Sequence, residues 1–211
     1  LEIGGWLSAL LEQSGMGQKL PDVALPDTFH GTLRPYQLRG VSWLAFLERF
    51  GFGACLADDM GLGKTVQLIA LLAYERASAK QTAEHANEVP EDQVLGDALV
   101  KQSEASDIGV TTYALAHRDK DTIERVRWRR IVLDEAQFIK NPQAKQSQAV
   151  RSLVAERRIA LTGTPVENRL SELWSIMDFL NPGYLGAAGN FQRRFAVPIE
   201  RYRDKPRSEQ L

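Results

Sequence analysis

Ala54-Cys55-Leu56-Ala57-Asp58-Asp59-Met60-Gly61-Leu62-Gly63-Lys64-Thr65 joins a short apolar run to a glycine-rich loop. Residues 65–77 then continue with helical spacing. An apolar strand running through glycines into a helix is the setting of a phosphate-binding loop. Glycines let backbone N–H groups turn toward an anion, and the helix presents its positive end. Lys64 would reach the β and γ phosphates, and the Thr65 hydroxyl would ligate Mg²⁺. The generic pattern places Gly where this chain has Asp58. A glycine turn opening a helix is also a common structural device, so the strand-to-helix context is what favours a nucleotide.

Ile131-Val132-Leu133-Asp134-Glu135-Ala136-Gln137 is a second apolar run, ending in adjacent carboxylates. Such a strand delivers its acids to the carboxyl edge of an open α/β sheet, where ligands bind. Asp134 would hold Mg²⁺, and Glu135 would orient and deprotonate an attacking water. Adjacent acids also suit a helix N-terminus. Downstream of a phosphate loop, however, the two motifs require each other's geometry, and together they point to ATP. Leu161-Thr162-Gly163-Thr164-Pro165 is a third strand end. Its residues fit an ordinary strand-to-loop turn, and equally a relay in which Thr162 and Thr164 couple hydrolysis to movement.

The chain has 211 residues, a net charge of -1 from 26 basic and 27 acidic residues, 44% hydrophobic and 25% charged residues. These values describe a globular domain and exclude a disordered tail or a fibrous protein. Nucleic-acid binding would have to rest on local patches, because bulk basicity is absent. A single cysteine, Cys55, cannot form an intramolecular disulfide and sits in an apolar run, which fits a buried strand and a reducing, cytoplasmic setting. No apolar run approaches a membrane span, and Glu2 without a basic flank is not a signal peptide. The start at Leu1 is expected of a piece cut from something longer.

Residues 1–26 read as the end of a preceding helical module (Ile3, Trp6, Leu7, Leu10, Leu11) and a proline-spaced linker. Residues 27–189 read as one α/β lobe. Pro35 opens a helix with Leu38, Val41, Leu44 and Leu47 at helical spacing, closed by Gly51 and Gly53. Residues 80–107 hold seven acidic residues against two lysines, an acidic loop with one short helix at 94–100. Strands are expected at 108–113, 131–133 and 159–161, and helices at about 144–155 and 170–179. This alternation implies a mostly parallel sheet flanked by helices. Residues 190–211 form a basic segment: six basic and two acidic residues lie between 190 and 207, interleaved with Phe191, Phe195 and Tyr202.

Asp-Asp-Met-Gly-Leu-Gly-Lys-Thr, Asp-Glu-Ala-Gln-Phe-Ile-Lys-Asn, Leu-Thr-Gly-Thr-Pro-Val-Glu-Asn-Arg-Leu and Glu-Leu-Trp-Ser-Ile-Met-Asp-Phe-Leu-Asn-Pro-Gly occur in this order. Together they resemble the first motor lobe of the Swi/Snf-type ATPases, superfamily-two, helicase-like enzymes that translocate on duplex DNA without separating its strands. The resemblance covers roughly 32–76 and 107–205, and Asp58 is similar to this family's own version of the loop. It implies a RecA-like P-loop NTPase lobe that uses ATP and Mg²⁺. Lys64, Glu135 and Gln137 would be catalytic. Arg34, Gln37, Asp59, Gly61, Leu62, Gly63, Lys64 and Thr65 would bind the nucleotide, with Gln37 of Leu-Arg-Pro-Tyr-Gln on adenine. Thr65 and Asp134 would hold the metal. Thr111, Thr112, Thr162 and Thr164 would couple hydrolysis to DNA, helped by the six Lys or Arg of 117–130. The implied partners are double-stranded DNA, or DNA-bound protein complexes, and a second RecA-like lobe of the same parent chain, with no membrane. The style is bacterial, hence a cytoplasmic, nucleoid-associated location.

Two departures qualify the resemblance. Between the loop helix and Thr111 the family carries further strands that are not present here, and Gly109 weakens the strand expected at 108–113. The sheet should therefore lack one or two strands after the phosphate-loop helix, leaving apolar helix faces less covered. The chain also ends before a second lobe, the source of an arginine whose kind is worth about 10³ to 10⁵ in rate, so alone it should be a very slow ATPase. An alternative is a truncated, catalytically inactive nucleotide-binding or interaction module. A small nucleoside kinase fits less well: it needs an arginine-rich lid and leaves Leu-Thr-Gly-Thr-Pro unexplained.

Overall fold

The computed structural model describes residues 20, 22–83, 108–164 and 169–202. The helices expected within 1–18 and at 94–100, and most of the acidic loop, lie outside the described residues. The chain divides into two compact units, residues 1–51 with 61–89 and residues 52–60 with 90–211.

The first unit contains helices α1 (Pro35–Arg49) and α2 (Lys64–Ala83), which pack on each other. Pro35 stands at the first helical position, where its missing N–H costs nothing. Val41, Leu44 and Phe46 of α1 and Gln67, Ala70 and Leu71 of α2 are buried. Gly51 ends α1 at φ +79°, a left-handed conformation that glycine adopts without strain. The loop expected to start at residue 80 does not start there, because 80–83 are helical. Ala77 to Ala83 offers Ala, Lys and Gln with no Gly or Pro to stop the helix. Val66 and Ile69 are exposed apolar residues on α2.

The second unit is built on a parallel sheet of β1 (Ala54–Leu56), β2 (Trp128–Leu133) and β3 (Ala155–Leu161) in the order β1-β3-β2. Ala54 pairs with Ile159 and Leu56 with Leu161, while Leu133 pairs with Ala160. The carboxyl ends of β1 and β2 therefore meet the same end of β3. Helices α3 (Tyr113–Arg118), α4 (Lys120–Ile123), α5 (Lys145–Ser152) and α6 (Leu170–Leu180) complete the layer. Their core with the strands comprises Ala116, Leu133, Ala136, Ile139, Val150, Ala160, Ile176, Phe179 and Leu180. Each large apolar side chain so buried contributes about 1.5–3 kcal/mol.

The expected element boundaries are corrected in several places. Residues 108–112 are not in a strand, and Tyr113 opens α3. The Thr112 hydroxyl accepts the Leu115 N–H at 3.2 Å, so local helix capping wins over strand pairing. Ile108 and Val110 stay exposed, and no further strand joins the sheet among the described residues. The helix expected to reach 155 stops at Ser152, and β3 begins at Ala155 rather than Ile159. Its first half reads Glu156-Arg157-Arg158, which hides a strand from a hydropathy pattern. Arg158 is nevertheless buried, because its guanidinium donates to the carbonyls of Phe179 and Leu153 and stacks on the Phe179 ring.

After α6, α7 (Ala188–Phe191), a π-helical segment (Gln192–Ala196) and α8 (Val197–Tyr202) follow without a break. The wider π turn brings Phe191 and Ala196, five apart, into one small core with Trp174.

The entrance to β1 is fixed by Gly53. Its N–H donates to Asn181 Oδ1 at 2.9 Å, and Asn181 Nδ2 donates to the Gly53 carbonyl at 3.3 Å. A Cβ on Gly53 would lie 2.2 Å from the Leu180 carbonyl oxygen. Backbone cannot yield as a side-chain tip can, so Gly53→Ala is expected to destabilise the chain by about 1–3 kcal/mol. A urea unfolding curve should show a lower midpoint at unchanged slope, and an unmoved midpoint would contradict this packing.

Candidate functional site

The loop leaving β1 ends at Lys64, the first residue of α2. Gly61 and Gly63 stand at φ +81° and +80°, which any L side chain would adopt only with strain. Lys64 is buried and Thr65 is exposed. The loop glycines therefore have the conformation that turns N–H groups outward, and α2 follows with its dipole.

Gln37 is tied to this loop. Its Nε2 donates to the Leu62 carbonyl at 3.0 Å, and its Oε1 accepts the Arg34 N–H at 2.9 Å. At least two of the four bonding positions of this amide are thus engaged in holding the loop and starting α1. Tyr36 adds a hydroxyl on the same Leu62 carbonyl at 3.3 Å, a contact that sequence reasoning missed. Gly63 also gives Gln37 its space: a Cβ there would lie 2.5 Å from Nε2.

In the second unit, β2 delivers Asp134 and Glu135 to a tight turn. Asp134 is exposed, and its Oδ1 accepts the Glu135 N–H at 3.0 Å. Glu135 has φ 49° and ψ 52°, the single positive φ at a non-glycine among the described residues. That conformation costs a residue with a Cβ roughly 1–2 kcal/mol and redirects the carboxylate. Gln137, in the 3₁₀ turn Ala136–Ile139, donates from Nε2 to Glu135 Oε2 at 2.6 Å and accepts from the Thr162 hydroxyl at 2.8 Å. Thr162 is buried, and its oxygen accepts the Thr164 N–H at 3.2 Å. The Thr162 N–H also donates to the Leu56 carbonyl at 3.1 Å, one rung beyond the β1–β3 pairing. The four expected residues Glu135, Gln137, Thr162 and Thr164 are thereby joined in one line. A Cβ at Gly163 would be in van der Waals contact with Met60 Cγ at 3.4 Å, so this strand end lies against the first half of the loop that leaves β1.

Tyr113, next to Thr111 and Thr112 in sequence, completes the turn: its hydroxyl donates to the Asp134 carbonyl at 2.7 Å. Burial first, then the Asp134 and Glu135 charges, raise the Tyr113 pKa, so the phenol stays protonated. Thr111 and Thr112 are exposed just before it. Asp59 is exposed in the loop. The basic stretch of 117–130 is partly neutralised within itself, by Arg118 on Asp119 at 2.7 Å and Lys120 on Glu124 at 3.3 Å. Cys55 is half-buried in β1, and burial pushes its thiol up to about 11, in keeping with a strand residue that is not a nucleophile. No helix among the described residues is long and apolar enough to cross a membrane.

Comparison with known proteins places these motifs in a family. The SNF2-related domain model matches residues 36–88 and 91–211. The chain is 42% identical over 230 residues to a Bacillus subtilis protein named for ATP-dependent helicase/translocase activity, YwqA, covering 97% of this chain and 25% of that protein. It is 36% identical over 220 residues to the TATA-binding protein-associated factor MOT1 of Saccharomyces cerevisiae, covering 87% of this chain and 12% of that one. Among solved structures, the Sulfolobus solfataricus SWI2/SNF2 ATPase core in complex with dsDNA matches with a TM-score of 0.73 and 40% identity, over 91% of this chain and 44% of that chain. The chain thus spans a quarter or less of the two relatives and under half of the solved core. The YwqA alignment is longer than this chain, so that relative carries residues without a counterpart here. By its motifs, its fold and these matches, the chain belongs to the SNF2-related domain family.

Proposed function

We propose that this chain is the ATP-binding lobe of a DNA-dependent ATPase that couples hydrolysis to movement along double-stranded DNA. The observation that carries this reading is the line of hydrogen bonds from Glu135 through Gln137 to Thr162 and Thr164. It joins a carboxylate able to deprotonate water to the end of a neighbouring strand through one amide, so rearrangement at either end is felt at the other.

Lys64 and the N–H groups of Asp59, Gly61, Leu62 and Gly63 hold the phosphates, while Arg34 and Gln37 serve the adenine side. The left-handed Gly61 and Gly63 fit such a ligand. Thr65 and Asp134 are hard oxygen donors suited to Mg²⁺. Among the described residues no three His, Cys, Asp or Glu side chains group as a metal cage, and an ion held by one or two protein oxygens and the phosphates needs none. When bound, Mg²⁺ neutralises charge on the phosphates. Glu135 accepts the proton of water, and Gln137 orients Glu135.

The solved Sulfolobus core bound to dsDNA supports duplex DNA as the partner. Thr111 and Thr112 would meet its backbone. In this reading residues 27–189 are the lobe, 1–26 the end of a helical module, and 190–211 lead toward a second lobe whose arginine speeds the reaction. The protein would work in the bacterial cytoplasm, on the nucleoid or on DNA-bound complexes. A lobe that binds nucleotide without turnover is the second reading, supported by a sheet of three strands among the described residues and by the extra residues of YwqA.

Duplex binding tests the proposal. If two to four phosphates are neutralised, affinity should fall roughly 10- to 100-fold between 50 and 200 mM salt by counterion release. Absent or salt-independent binding, measured by fluorescence anisotropy with a short duplex, would remove DNA from the reading.

A further inference from the structure

We propose that Tyr113 is a positioning residue that passes duplex contact at Thr111 and Thr112 to the Asp134–Glu135 turn. The inference rests on the reading above, that the chain binds nucleotide and that Thr111 and Thr112 meet the DNA backbone.

Tyr113 holds the carboxylate turn at both ends. Its hydroxyl donates to the Asp134 carbonyl at 2.7 Å, and its ring lies 5.5 Å from the ring of Phe138, within the 3₁₀ turn that follows Glu135. The ring also packs on the core that includes Leu133 and Ala136. Phenylalanine would supply that packing equally. The hydroxyl therefore adds one thing, a grip on the peptide that joins the two acids.

That peptide governs Glu135. A left-handed non-glycine residue persists when its surroundings over-determine it. At this turn the determinants are the Tyr113 bond to the Asp134 carbonyl, the Asp134 carboxylate on the Glu135 N–H, and Gln137 on the Glu135 carboxylate. Removing the first leaves the Asp134–Glu135 peptide freer to rotate, with a matching swing of the carboxylate.

The other end of Tyr113 is set by its neighbours in sequence. Thr112 caps α3 through its hydroxyl, and its carbonyl accepts the Ala116 N–H at 2.8 Å. Ala116 is buried in the same core. Thr111 and Thr112 are exposed, so a phosphate bound there pulls on the first turn of α3. Tyr113 is the first residue of that turn, and its hydroxyl carries the displacement to Asp134 over a sequence separation of 21 residues.

The test is thermodynamic linkage in the 211-residue chain. Affinity for a fluorescent ATP analogue is titrated with and without a saturating short duplex, and the ratio measures coupling. Wild type should show a ratio of about 5 to 150. Tyr113→Phe should shrink it to about twofold or less, while the melting temperature and the affinity for each ligand alone stay within about twofold of wild type. The Glu135 amide resonance should move on adding duplex to wild type and stay still in Tyr113→Phe. Phe138→Leu keeps the hydroxyl and removes the ring contact, so it should retain coupling. Full coupling in Tyr113→Phe, equal loss in Phe138→Leu, or a wild type that binds both ligands without coupling each overturns the inference and leaves the proposed function standing. A wild type that binds no nucleotide or no duplex removes the proposed function itself, and this inference with it.

Discussion

Lys64→Ala is expected to remove nucleotide binding by this chain. The residue opens α2 directly after left-handed Gly63 and is buried, so its ammonium has a fixed approach to whatever the loop holds. Truncating one partner of a desolvated, hydrogen-bonded charge pair costs about 2–5 kcal/mol, or roughly 30- to 5,000-fold in affinity. A fluorescent ATP-analogue titration measures the loss, and Lys64→Arg, which keeps the charge but changes its shape, should fall between. The far-ultraviolet spectrum must remain that of the parent for the comparison to hold. Unchanged analogue affinity in Lys64→Ala would end the phosphate-loop reading, whatever the family.

Glu135→Gln should separate binding from chemistry. In a protein carrying both lobes, DNA-stimulated phosphate release is expected to fall by about 10² to 10⁴, the contribution of a positioned general base. Nucleotide affinity should hold or rise, since the phosphate loop is untouched. Glutamine keeps the length and an acceptor oxygen for Gln137, so the bond now at 2.6 Å retains a partner and the turn keeps its form. Measuring phosphate release beside analogue affinity distinguishes the two proposed readings. If the wild-type protein releases no phosphate on DNA, or Glu135→Gln releases it at the wild-type rate, catalysis by this carboxylate is wrong and the non-hydrolysing lobe is the better description.

How far the sequence alone reached follows from which constraints are local. The glycine loop after β1 and the Asp134-Glu135 turn after β2 stand out in the sequence because particular residue types follow an apolar strand at fixed spacing. Parallel pairing of β1, β2 and β3 follows from the strand and helix alternation. The beginning of β3 was hidden because Arg158 looks like surface and is instead satisfied by two carbonyls, that of Leu153 just before the strand and that of Phe179 in a later helix. Residues 108–112 read as a strand on composition, yet a threonine cap decides the local structure. Tyr113 on Asp134, Tyr36 on Leu62 and Asn181 on Gly53 are side-chain bonds to backbone across 21, 26 and 128 residues. No periodicity announces such contacts, because each depends on where the rest of the fold has placed a carbonyl or an N–H.

The pairing order carries a consequence for how this chain is made. Among the described residues β1 lies at one edge, bonded to β3 with Ala54 opposite Ile159, and its entrance is clasped by Asn181. At about 5–20 residues per second of synthesis, β1 leaves the ribosome roughly 5 to 20 seconds before its neighbour exists. During that interval the strand that leads into the glycine loop is an unpaired apolar segment. It becomes part of a sheet when β3 is inserted between the two earlier strands, and its clasp arrives later still. A nascent chain halted before Asn181 would have its motifs in place and its loop unanchored, so the newly made protein should be most vulnerable to proteases and in greatest need of a chaperone in that window.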